Sequence, residues 1–94
     1  MNKITFPWDE EKNKINQEKH GISFEEAESV FFDDYAVQFW DEAHSQDEES
    51  FLLLGLSSKM RILLVVHCFR EEDSIIRIIS ARKATKNESK EYRR

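Results

Sequence analysis

The sequence predicts an α+β fold: two N-terminal helices, an antiparallel sheet of three to four strands and a short C-terminal helix. Three observations predict it. Two helix-start signals fall in the first third of the chain, at Asp9 and at Ser23. Three apolar runs, Phe51–Leu56, Ile62–Phe69 and Ser74–Ser80, then follow one another with connections too short for a crossover. A third start signal, Thr85-Lys86-Asn87-Glu88, opens a basic C-terminal segment.

The first helix is expected over residues 9–19. Asp9 is placed to cap it, Glu10 and Glu11 sit in the turn where the helix dipole favours anions, and Gly21 supplies a left-handed residue after Lys19-His20. Its apolar stripe is thin: Trp8 and Ile15, with the aliphatic stems of Lys12 and Lys19. His20 reads as a helix-end residue. Ser23-Phe24-Glu25-Glu26 has the form of a reciprocal capping box, and Ile22 is placed to staple against Ala27. The second helix then runs to about Phe31, with Phe24, Ala27, Val30 and Phe31 inward and Glu25, Glu28 and Ser29 toward water.

Asp33-Asp34 break the chain to extended backbone, and Val37–Trp40 alternates as a short strand. Asp41 to Ser50 is an acid-rich loop holding His44 and Ser45. A solvated connection outweighs a metal site or a Ser/His pair there, because one histidine among carboxylates lacks ordered ligand spacing. The three strands that follow are apolar on both faces, so each face needs a cover. The helical hairpin supplies one, and the C-terminal helix or a partner the other. Within them Ile75–Ala84 is the anomalous stretch, an inner strand of isoleucines that contains Arg77 and ends on Arg82 and Lys83. The final helix is expected from Lys86 to Tyr92 and carries Lys86 and Lys90.

Ninety-four residues allow one domain, residues 1–94. A charged fraction of 35% beside 39% hydrophobic describes a folded chain rather than a disordered one. The single cysteine, Cys68, excludes an internal disulfide and suits a reducing cytoplasm. The N-terminus lacks the apolar core of a signal peptide, and the longest apolar run, Ile62 to Val66, is far too short to cross a bilayer. The net charge of −5 conceals a division: residues 1–50 carry four lysines against fourteen acids, −10, and residues 51–94 carry ten Lys and Arg against five acids, +5. General nucleic-acid binding is disfavoured by the acidic whole, whereas the basic half suits local phosphate binding.

A three-residue loop at 71–73 pairs Arg70 with Ser74 and sets His67 opposite Arg77, with Arg61 on the same face by parity. The expected cluster is therefore Arg61, His67 and Arg77, joined by Arg82 and Lys83 from the strand end. Fixed cations beside one histidine suit a phosphodiester: the cations hold phosphate and stabilise its developing charge, and the histidine moves a proton near neutral pH. That is the chemistry of RNA cleavage without metal or cofactor, in which the 2′-hydroxyl attacks its own phosphate. The competing account pairs Arg77 with a carboxylate such as Glu71 or Asp41 and makes His67 a satisfied core residue.

Phe6-x-Trp8-Asp9, Asn16-x-x-Lys19-His20-Gly21-Ile22-x-Phe24-x-Glu26-Ala27, Val30-Phe31, His44-Ser45, Arg61-x-Leu63-Leu64-Val65-Val66 and Ile76-Arg77-Ile78-Ile79-Ser80-Ala81-Arg82-Lys83-Ala84 together resemble the BrnT family of toxins over nearly the whole chain. The resemblance implies a cytoplasmic ribonuclease toxin of a type II toxin–antitoxin pair, with a small RelE-like fold, that cleaves RNA and inhibits translation and growth. It also implies a BrnA-like antitoxin with a ribbon-helix-helix part, promoter DNA reached only through the complex, and a toxin–antitoxin heterotetramer as a candidate assembly. By position, Arg77 and Arg82 match the family's signature arginines, and Arg61 and Arg70 match basic positions beside the third predicted strand. The catalytic set expected is then Arg61, His67, Arg77 and Arg82, with Arg70, Lys83, Lys86 and Lys90 on the RNA. Met60 departs from a turn glycine common among relatives, and Ser89 from a basic residue. A different class of function stands beside this one: a toxin that grips a protein target without cleaving, or a degenerate co-repressor acting only with its antitoxin.

Overall fold

The computed structural model of the chain describes residues 3–44 and 49–92. Local chemistry starts each helix. Asp9 accepts the Glu11 N–H and opens α1, Glu10–His20, which ends on Gly21 at φ 73°. Ser23 accepts the Glu26 N–H and opens α2, Phe24–Ser29, continued by a 3₁₀ turn over Val30–Phe32. The reciprocal half of that expected capping box is not made, because the Glu26 side chain turns away to Ser57 and Arg61. At the third signal both halves form: Thr85 and Glu88 exchange hydrogen bonds and open α3, Lys86–Ser89, a single turn shorter than the segment expected.

Strands β1 (Val37–Trp40), β2 (Phe51–Leu56), β3 (Ile62–Arg70) and β4 (Ile75–Lys83) form one antiparallel meander in chain order. β4 is thus an edge strand, not the inner strand its isoleucines suggest. Its outer side is touched by Thr5, whose N–H donates to the Ser74 carbonyl and whose carbonyl accepts the Ile76 N–H, both at 3.0 Å. It also runs past Ser80, since Ala81, Arg82 and Lys83 go on pairing with Val65, Leu64 and Leu63.

The β3–β4 turn corrects the expected register. Arg70 pairs with Ile75, so residues 71–74 make the turn, with Glu71, Glu72 and Asp73 at φ 52°, 56° and 71°. That slip of one residue sets Cys68, not His67, opposite Arg77, and period-two alternation then puts His67 and Arg77 on opposite faces. A bulge shifts the register again: His67 pairs with Ile78 but Val66 with Ser80, and Ile79 is the extra residue. Five residues apart, Arg77 and Arg82 would lie on opposite faces of a regular strand. The bulge returns them to the same one.

One face of the sheet is covered by the helices and the N-terminal segment over a core that includes Phe24, Ala27, Val30, Leu53, Val65 and Ile78. Helix α1 does not dock through the expected apolar stripe: Ile15 is 50% exposed, and the buried residues are Asn13 and Asn16. The Asn16 amide donates to the carbonyls of Ile22 and Ala81, each at 2.8 Å, and accepts the Ala81 N–H at 3.1 Å. It therefore satisfies backbone groups on the outer side of β4 as another strand would. Asn13 accepts the Phe24 N–H at 2.9 Å and so ties α1 to α2. At Gly55 the sheet passes so close to the chain after α2 that a Cβ would lie 2.8 Å from Val30 Cγ1 and 2.9 Å from Ala36 Cβ. The second face carries alternate residues of β2 and β3, among them Leu54, Leu64, Val66 and Cys68. After α3 the Tyr92 hydroxyl donates to Asp33 at 2.5 Å, an acceptor it shares with the Leu56 N–H.

Candidate functional site

The second face gathers three of the predicted arginines. Register places Arg77 opposite Cys68, Ser80 opposite Val66 and Arg82 opposite Leu64, while Arg70 lies two residues beyond Cys68. Arg70 and Arg77 are thus diagonal neighbours, a relation that places backbones roughly 7–8 Å apart and lets long side chains meet. Arg82 lies farther along the strand, at roughly 13–16 Å from Arg77. It forks onto Glu88 of α3, Nη1 to Oε1 at 2.8 Å and Nη2 to Oε2 at 2.9 Å. The Arg82 guanidinium, helped by the Thr85 N–H and opposed by partial burial, holds the Glu88 carboxyl down at about 2. Lys83, Lys86 and Lys90 are exposed near this end, with Lys83 paired to Leu63 and so on the helix-covered side of the strand.

Arg61 and His67 are placed elsewhere. Arg61 leads into β3 on the helix-covered side and forks onto Glu26, Nε to Oε2 at 3.0 Å and Nη2 to Oε1 at 2.5 Å, and the Ser57 hydroxyl adds a third bond at 2.7 Å. Burial would raise the Glu26 carboxyl; the bonds from Arg61 and Ser57 outweigh it and hold the group below its ordinary range. His67 is fully buried among Phe31, Phe69 and Phe51, with ring centroids 4.8, 5.2 and 6.2 Å away. Its Nδ1 lies 3.2 Å from the Val65 carbonyl and its Nε2 3.1 Å from the Gln38 side-chain amide. Burial pushes its pKa below the ordinary value, which disfavours the imidazolium a proton shuttle must form. Six residues of strand separate Arg61 from His67, roughly 20 Å, and the sheet itself separates His67 from Arg77. The expected cluster of Arg61, His67 and Arg77 does not form.

A groove of about 560 Å³ opens beside Arg70 and Arg77, between β4 and the N-terminal segment, and its walls include Pro7, Trp8, Asp9, Glu71 and Ile75. In the sequence Trp8 reads as helix packing and as part of the Phe6-x-Trp8-Asp9 pattern just before the first cap, with no sign of the groove it lines. Ser45 and the side chain of His44 lie outside the described residues. Among the described residues, no three His, Cys, Asp or Glu side chains are grouped to hold a metal ion, and no helix is long and apolar enough to cross a membrane.

Residues 8–88, from the groove tryptophan through the whole sheet to Glu88, match the family described as ribonuclease toxin, BrnT, of type II toxin-antitoxin system. The match makes the chain a ribonuclease toxin of the type II class, whose function implies an antitoxin partner. The chain belongs to the BrnT family. Among curated proteins, none matches it in sequence.

Proposed function

We propose that this chain is a single toxin domain, residues 1–94, that cleaves RNA without a metal ion, inhibits translation and growth, and is neutralised in the cytoplasm by a BrnA-like ribbon-helix-helix antitoxin. In this reading promoter DNA is reached only through the complex, as a toxin–antitoxin heterotetramer. The observation that carries it is the Ile79 bulge, which sets Arg77 and Arg82 on one face with Arg70 beside Arg77. Guanidinium groups held on strands suit phosphate, because their fork geometry matches its oxygens and their charge cannot be titrated away. Attack by the 2′-hydroxyl forms the P–O2′ bond and breaks P–O5′, leaving a 2′,3′-cyclic phosphate. The hydroxyl proton passes through water to the departing 5′-oxygen. Arg77 and Arg70 take the charge that grows on the phosphoryl oxygens, Arg82 is oriented by Glu88, and Lys83, Lys86 and Lys90 follow the RNA backbone. Arg61 and His67 leave the catalytic set: one ties α2 to β3, and the other fills the core.

Burial of the histidine also favours a second reading, a toxin that grips a protein target without cleaving. Induction with and without the adjacent open reading frame, followed by mapping of RNA ends, separates the two. Cleavage predicts arrest with new 2′,3′-cyclic phosphate ends and relief by the neighbour; arrest with intact RNA supports gripping. Cleavage by purified toxin should survive EDTA, and its loss there would contradict a metal-free reaction. Failure of the neighbouring gene product to co-purify would remove the antitoxin assignment.

A further inference from the structure

We infer that the groove between β4 and the N-terminal segment holds one unpaired nucleotide of the RNA, its base stacked on the Trp8 indole and its flanking phosphates at Arg70 and Arg77. The inference rests on the ribonuclease reading and adds its recognition element. The groove volume, about 560 Å³, is of the size that small-molecule sites have, and its walls combine an aromatic ring, a proline and an isoleucine with two guanidiniums. A second hollow of about 150 Å³ shares Trp8, Asp9 and Arg77 with it and adds Lys12, so the ring and Arg77 border both.

The tryptophan is held in place before any ligand arrives. Its Nε1 donates to Glu10 at 2.8 Å, and its ring meets Phe24 edge-on at 5.9 Å. The segment that carries it is tied to the β4 edge through Thr5. A fixed ring loses little freedom when a base stacks on it. Every base offers a π-face, so an aromatic platform between arginines takes single strands with little sequence preference. A base inside a duplex has both faces covered by its neighbours and does not reach the platform. Asp9 and Glu71 at the same walls disfavour a bare anion, which makes the base necessary for binding.

The test uses full-length toxin freed from its antitoxin and carrying Trp40→Phe, so that Trp8 is the sole tryptophan. It is titrated with an uncleavable 2′-O-methyl single-stranded oligonucleotide, with the matching duplex and with inorganic phosphate, following indole fluorescence and, separately, anisotropy of a labelled oligonucleotide. The single strand should quench Trp8, the duplex should bind at least about tenfold more weakly, and phosphate should leave the fluorescence unchanged. In the otherwise native chain Trp8→Leu should weaken single-strand binding about tenfold or more. Saturating single-strand binding that leaves Trp8 fluorescence unchanged overturns the groove while sparing the ribonuclease reading. Absence of both RNA binding and RNA cleavage overturns that reading itself.

Discussion

His67 and Cys68 are adjacent in the chain, yet they belong to opposite worlds: His67 points into a box of phenylalanines under the helices, and Cys68 shares its face with Arg70 and Arg77. Each face of the sheet answers a different demand. The helix-covered face is closed by ring contacts, by the Asn16 amide and by the Glu26–Arg61 fork, so its polar groups serve architecture. The second face carries Arg70, Arg77 and Arg82, the last forked onto Glu88 of α3. The difference teaches that residue type alone does not mark a site: histidine, the usual proton carrier, is spent on the core, and the proposed chemistry falls to arginine.

Substitutions should separate the two faces, with stability falling on one and activity on the other. Asn16→Ala should destabilise most, by about 2–4 kcal/mol in chemical denaturation, because it leaves buried backbone groups of Ile22 and Ala81 unpaired. A neighbouring change, Ile15→Ser, should cost under about 0.5 kcal/mol, since that side chain is half exposed. Gly55→Ala should cost about 1–3 kcal/mol by overpacking Val30 and Ala36. The lowered pKa of buried His67 predicts an acid limit. With its folded pKa below the ordinary 6.5, its contribution is present above that value and lost as pH falls through the folded one, so the melting temperature should drop below about pH 6.5 and His67→Phe should flatten that part of the curve. Arg70→Ala on the second face should cost little stability, under about 1 kcal/mol, yet it should lower the salt slope of RNA binding by about one. A large loss of stability there, with RNA binding unchanged, would break the contrast between the faces.

Much of the fold is legible in the sequence because its signals are local. Asp9, Gly21 and the Thr85–Glu88 box mark helix ends through one-turn hydrogen bonds, and β1 and β2 begin and end where the apolar runs do. What escapes depends on distant partners. Asn13 and Asn16 look like solvated helix positions until β4 and α2 supply their backbone acceptors and donors. Glu26 reads as half of a capping box until Arg61, thirty-five residues away, claims it. The site is legible as residue types and illegible as geometry: Arg77 and Arg82 stand out among isoleucines, but their common face is made by a four-residue turn and a bulge that no alternation pattern reveals. Met60 is an instructive middle case, a departure visible in the sequence that the fold accommodates at φ 62° in the turn before Arg61.

In the proposed reading RNA is handled on the arginine face and not by the buried histidine. Cleavage of one RNA substrate by purified toxin freed of its antitoxin, compared among native chain, Arg77→Ala and His67→Phe with folding checked by circular dichroism, tests it most directly. Arg77→Ala should lose about a hundredfold or more, and His67→Phe should keep a rate within about threefold of native. Near-native cleavage by folded Arg77→Ala, with activity abolished in folded His67→Phe, would contradict it.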